Sequence, residues 1–127
     1  MTVNRLTIMD GVATGIADGD SGIVRVGPRD NQRDATDALI PITFTTSYTS
    51  GAGTCTPYKC VDPDTSPRVW VPIQKLQDDG TDVAVTRTAD FIMTIDLPSG
   101  TLVKWTISSG SSPVIVMVAE GWAHGSV

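Results

Sequence analysis

From residue 91 to residue 107 apolar and polar side chains repeatedly alternate, and only a pleated strand turns that period into one dry face and one wet face. Phe91, Met93, Ile95 and Leu97 alternate with Thr94 and Asp96, and Val103, Trp105 and Ile107 alternate with Lys104 and Thr106. A helix would scatter each apolar set around its circumference. Pro98-Ser99-Gly100 separates the two runs at hairpin spacing, so they are expected to pair antiparallel, with Trp105 on the core face.

The same reading extends in both directions. Asp78-Asp79-Gly80 lies between Val71-Pro72-Ile73-Gln74-Lys75-Leu76 and Val83-Ala84-Val85-Thr86-Arg87, and its Asp-Gly step predicts a second hairpin. Val114-Ile115-Val116-Met117-Val118-Ala119 is apolar throughout, which predicts a strand that is central or sealed by a second subunit. Earlier in the chain, Leu6 and Ile8 mark an opening strand and Ile23-Val24-Arg25-Val26 a second. Ile40, Ile42 and Phe44 mark a third, with Pro41 expected at an edge or a bulge. The polar and turn-forming residues from Asp10 to Asp37 around these pieces read as loop, or as an arm leaving the body.

No segment combines a helical period with a cap. Val, Ile and Thr make up about a third of the chain, a composition suited to pleated surfaces. The expected fold is all-β, an antiparallel β-sandwich or jelly-roll-like barrel with an irregular N-terminal arm. The 127 residues form a single β domain over 1–127, with residues 1–35 read as the extended arm. Apolar residues at 40% and charged residues at 18% supply enough core to fold and exclude a disordered chain.

Charge narrows the partners. A net charge of -5 repels phosphate backbones and anionic membranes, so neither nucleic acid nor a membrane is an expected partner. No apolar run approaches the roughly 20 residues of a membrane span, and Met1-Thr2-Val3-Asn4-Arg5 lacks a secretory pattern, which points to a chain made in the cytoplasm.

Several short segments imitate reactive sites. Gly19-Asp20-Ser21-Gly22 resembles the nucleophile segment of trypsin-like serine proteases, but that chemistry needs a histidine and an orienting carboxylate. The sole histidine, His124, stands near the other end and reads as part of a surface tail. Asp62-Pro63-Asp64 and Asp78-Asp79 read as turn residues rather than a glycosidase pair. Asp18-Gly19-Asp20 lacks the spacing of a calcium loop. Cys55 and Cys60 flank Thr56-Pro57-Tyr58-Lys59, where they either close a small loop or stay as reduced thiols. No catalytic residue, cofactor or metal ligand is expected, and the chain reads as a binding protein rather than an enzyme.

Two features carry the binding expectation. Arg25, Arg29 and Arg33 punctuate the early polar stretch, and Gly27-Pro28 keeps them off a common helical face, so they read as a flexible basic segment. Trp70 alternates with Val69 and Val71 and is read as pointing away from the core, either as an interface anchor or under a covering layer.

A short acidic β-protein rich in Thr, Gly and Asp, with a polar N-terminal stretch, resembles the capsid decoration, or cement, proteins of tailed bacteriophages. The resemblance implies a β-sandwich or jelly-roll body, usually a homotrimer, that sits on a virion and clamps neighbouring subunits of the major capsid protein. The alternative expectation is a carbohydrate- or receptor-binding module of a phage tail or fibre, with Trp70, Trp122 or Tyr58 as a stacking platform. A further one is a small β-barrel hydrolase or isomerase, which needs a deep pocket joining His124 to an acid or to Cys55.

Overall fold

A computed structural model describes residues 4–20, 22–27, 39–60, 67–76, 78–110 and 112–126. The described chain is all-β and antiparallel, and two sheets enclose one core. The first sheet contains β1 (Asn4–Val12), β10 (Val114–Gly121), β3 (Ile40–Ser50) and β8 (Phe91–Leu97), in that order. The second contains β11 (Ala123–Ser126), β2 (Ile23–Val26), β9 (Leu102–Gly110), β4 (Gly53–Cys60) and β5 (Val71–Pro72). A separate hairpin of β6 (Gln74–Leu76) and β7 (Asp82–Ala84) completes the described elements.

The core lies where the alternation puts it. Trp105 and Phe44 are fully buried and meet edge to face across the two sheets, with ring centroids 5.3 Å apart at 72°. Phe91 also packs against the indole, tilted at 41° with ring centroids 5.4 Å apart. Such aromatic contacts contribute about 0.5–1.5 kcal/mol beyond the area they bury. Ile42, Ile115, Met117, Val24, Val26 and Val103 fill the space around them.

The uniformly apolar run lies in an interior strand. β10 sits between β1 and β3. Ile115, Met117 and Ala119 face the core, while Val118, on the opposite face, is only 5% exposed. The Asp-Gly hairpin also forms, pairing Gln74 with Ala84 and Leu76 with Asp82. Its loop is longer than two residues: Gly80 takes φ 85°, and the Asp79 carboxylate accepts hydrogen bonds from the Thr81 N–H at 3.0 Å and its hydroxyl at 2.6 Å.

Four expectations change. First, Phe91–Leu97 and the run around Trp105 are not a hairpin: β8 pairs with β3 and β9 with β4 and β2, in different sheets. The turn explains why. Thr101 N–H donates to Pro98 O at 3.2 Å, and of the two central residues only Gly100 has positive φ, 89°. That is a type II turn, which splays the flanking strands instead of matching their twist. The departing chain is then bound to β2, with Gly100 N–H donating to Val26 O and Val26 N–H to Thr101 O.

Second, the described part of residues 1–35, 4–20 and 22–27, packs in the body rather than leaving it as an arm, and the rest of that span lies outside the described residues. Asn4–Val12 pairs with β10 along its length, and Ile23–Val26 lies between β11 and β9 with Ile23, Val24 and Val26 buried to within 1%. Hydrophobic burial of this kind makes both segments part of the body. Third, Pro41 stands in an interior strand, opposite Asp96. It is tolerated because the pairing of β3 with β10 stops at Ile42–Gly121, leaving no ladder bond there for a proline to break. Fourth, His124 lies in β11, paired with Arg25 of β2, rather than in a loose tail.

Candidate functional site

The outer face of the first sheet is built from four strands, and the strand registers set its side chains in rows. Arg5, Glu120, Thr43 and Thr94 form one row, and Thr7, Val118, Thr45 and Ile92 the next. Asp10, Val116 and Ser47 follow, then Val12, Val114 and Ser50. Each row shares one face because directly paired residues in an antiparallel ladder point the same way.

Charge is confined to the margins of this face. Arg5 is bound to Glu120 at 3.1 Å, Asp10 lies on the outermost strand β1, and Asp96 stands at the end of β8. The row Thr7, Val118, Thr45 and Ile92 carries no charge and lies between the row of Arg5 and Glu120 and the row of Asp10; the row Val12, Val114 and Ser50 is uncharged as well. Thr43 and Thr94 are bridged hydroxyl to hydroxyl at 3.0 Å. Ile92 and Val12 are 74% and 64% exposed, so two large apolar side chains stand in solvent at opposite sides of the face. Depletion of charge at the centre with polar groups at the rim is the composition of a contact surface. Four strands about 4.8 Å apart and about eight residues long cover about 500 Å². The sign of this surface is in the sequence: within the alternating run from Phe91 to Leu97, Ile92 is the apolar residue at a wet position.

The residues singled out from the sequence do not gather into one site. Arg25 is half-buried in β2, between His124 of β11 and Leu102 of β9, so it belongs to a sheet and not to a flexible basic segment. Arg29 and Arg33 lie outside the described residues. Trp70 faces the opposite way from the alternation reading: Val69 and Val71 are the exposed residues, 68% and 42%, while Trp70 is half-buried against the core. Lys104 Nζ covers its ring at 4.5 Å from the centroid, and its Nε1 is buried without a hydrogen bond. Nearby, Arg68 binds Asp18 at 2.9 Å, tying this segment to the loop before β2. The pattern failed here because the edge strand that starts at Val71 has only two residues, too short for alternation to define a buried side.

The reactive look-alikes that fall on described residues resolve into local structure. Asp20 Oδ2 accepts a hydrogen bond from the Ala17 N–H at 2.6 Å, and the Asp20 N–H donates to Ala17 O at 3.1 Å, a turn closed by its own side chain. Ser21 and Asp62-Pro63-Asp64 lie outside the described residues. His124 Nδ1 is 3.3 Å from Gly27 O, an acceptor that fixes the proton on that nitrogen. Trp122, like Trp70, is half-buried against the core, and Tyr58 pairs with Lys104, the residue that covers Trp70. A recess of about 220 Å³ beside β1 is lined by Ile8, Met9, Val12, Ile16 and Asp20, without His124 or Cys55.

Cys55 and Cys60 stand near opposite ends of β4 rather than on either side of a turn. Five residue-to-residue steps of extended strand set them about 17 Å apart, beyond the roughly 7 Å that a disulfide spans. Both are buried thiols. Burial pushes the Cys55 thiol up, partly offset by its hydrogen bond with Tyr48. The Tyr48 hydroxyl is also within reach of Gly53 O at 3.0 Å and Arg87 O at 3.4 Å. Burial, followed by the Cys55 contact, raises it well above the usual phenol range.

The chain matches no family model, no curated protein and no solved structure. Any functional assignment therefore rests on the face described above and on the fold that presents it.

Proposed function

We propose that this chain is a structural binding protein of a virus particle, one that decorates a phage capsid and stabilises it by bridging neighbouring capsid subunits. The observation that carries the reading is the outer face of the first sheet, with its uncharged row Thr7, Val118, Thr45 and Ile92 between charged margins. A rigid sheet pays little ordering entropy on docking, because its β-branched side chains are already restricted. The strand order supports a jelly-roll reading of the sandwich: the chain passes from one sheet to the other at β1–β2, β2–β3, β3–β4, β8–β9, β9–β10 and β10–β11. That architecture recurs in viral coat and lectin domains.

The test is co-sedimentation of the purified protein with assembled heads of tailed phages. Thr45→Arg puts a charge at the centre of the face, on a side chain that points to solvent, and should abolish sedimentation while the β circular-dichroism spectrum is kept. Undiminished sedimentation of that variant removes this face from the mechanism. Failure of the intact protein to bind any head or tail particle removes the virion reading.

A further inference from the structure

We propose that β8 is a self-complementary edge through which two copies of this chain join their first sheets into one. The inference does not depend on the virion reading. It starts from a difference between the four sheet edges. β5 has two residues, one of them Pro72. β11 has four residues. β1 is interrupted by a bulge between Thr7 and Met9. Short length, proline and bulges are the devices that stop an edge from recruiting another strand. β8 has none of them: it is seven residues long, pairs with β3 in unbroken register, and contains neither proline nor lysine. Among the described residues nothing pairs with its outer side.

The side chains at this edge are incompletely covered. Phe91 and Met93 point toward the core yet are only half-buried, whereas Ile95 and Leu97 on the same side are 8% and 3% exposed. The sandwich is thus open beside Phe91 and Met93, and Ile92 stands in solvent next to them. An added strand would close the opening.

A second copy fits by register and charge. Antiparallel pairing about a two-fold axis at Thr94 uses every residue of the strand. On the core side it sets Phe91 against Leu97 of the second copy and Met93 against Ile95, all apolar. On the outer side it sets Ile92 against Asp96, and Thr94 against itself, so no like charges meet. The alternative, β8 against β1 of the next copy, would build a ring or a filament and has to cross the bulge at Ile8. An edge of about 23 Å, a little over 10 Å deep, buries under about 1,000 Å² in total, which places the dimer among weak, concentration-dependent associations.

The experiment is sedimentation equilibrium of the full chain from low micromolar to several hundred micromolar. Wild type is expected to pass from monomer to dimer across this range. Thr94→Lys and Thr94→Glu each place like charges across the axis and should each weaken the dimer at least 10-fold, while an equimolar mixture of the two restores it as a heterodimer. Thr7→Lys, an equally exposed substitution on β1, should leave the equilibrium unchanged, and circular dichroism identifies any variant that fails to fold. A wild type that stays monomeric throughout, a trimer, or a dimer indifferent to Thr94→Lys would overturn the proposal.

Discussion

The hydroxyl of Tyr48 lies 3.0 Å from the sulfur of Cys55, joining the end of β3 to the start of β4 in the opposite sheet. Backbone bonds between Cys55 and Arg87, at 2.7 and 2.9 Å, extend the junction to the segment that leads into β8. One phenol thus ties together three parts of the chain. Tyr48→Phe keeps the ring and deletes the ties, so it should cost about 1 kcal/mol, the usual net worth of such a hydrogen bond. Urea denaturation measures this, and faster labelling of Cys55 by a thiol reagent in the native state would report the loosened corner.

The same pair predicts the alkaline limit of stability. Both groups titrate above their ordinary values in the folded chain, whereas in the unfolded chain a thiol ionises near 8.5 and a phenol near 10. Above about pH 8.5 the unfolded state therefore releases protons that the folded state retains, and stability falls as pH rises. The urea midpoint should be flat through neutrality and decline from about pH 8.5 upward. Cys55→Ala should flatten the first part of that decline.

Trp105 has no exposed surface, so Trp105→Ala should cost about 3–5 kcal/mol, as truncation of a buried aromatic does. Its Nε1 is buried without a hydrogen bond, a penalty that Phe does not carry. Trp105→Phe should consequently cost well under half as much, because the lost volume is partly offset by removing an unsatisfied donor. Equal destabilisation by both variants would show that the indole N–H has a partner.

Deleting residues 1–35 should abolish folding. The cut removes β1, and with it the cover on one edge of β10. It also removes β2, which bridges β11 and β9. A truncated chain that retained a β spectrum and a cooperative melt would contradict the placement of both strands.

Where one face of a strand is wet, the sequence announces the fold plainly. Trp105 and the strands around it are legible because alternation records which side faces water, and the uniform run at Val114–Ala119 is legible because a central strand loses its wet positions. The partner of β8 was not legible, because Pro98-Ser99-Gly100 suits several turn types and only the backbone angle at Ser99 decides which sheet the chain enters next. β11 was not legible either: Ala123, His124, Gly125 and Ser126 have no β preference and owe their conformation to the pairing with β2. Of the candidate face, Ile92 alone gave a local sign. Thr45, Val118 and Thr7 become neighbours only through pairings between distant strands.

The Asn4 side chain donates to Ala123 O at 2.6 Å across 119 residues of sequence, and β1 finds its only described partner in β10. During synthesis β1 therefore meets its described partner only once residues 114–121 have left the ribosome. Contacts of such wide separation close slowly, since the entropy of the intervening loop is lost before the pairing stabilises anything. For that interval a regular edge such as β8 stands beside an unfinished sheet, the stage at which capture by another chain competes with completion. The yield of folded protein should accordingly depend on translation rate and temperature more steeply than its equilibrium stability does.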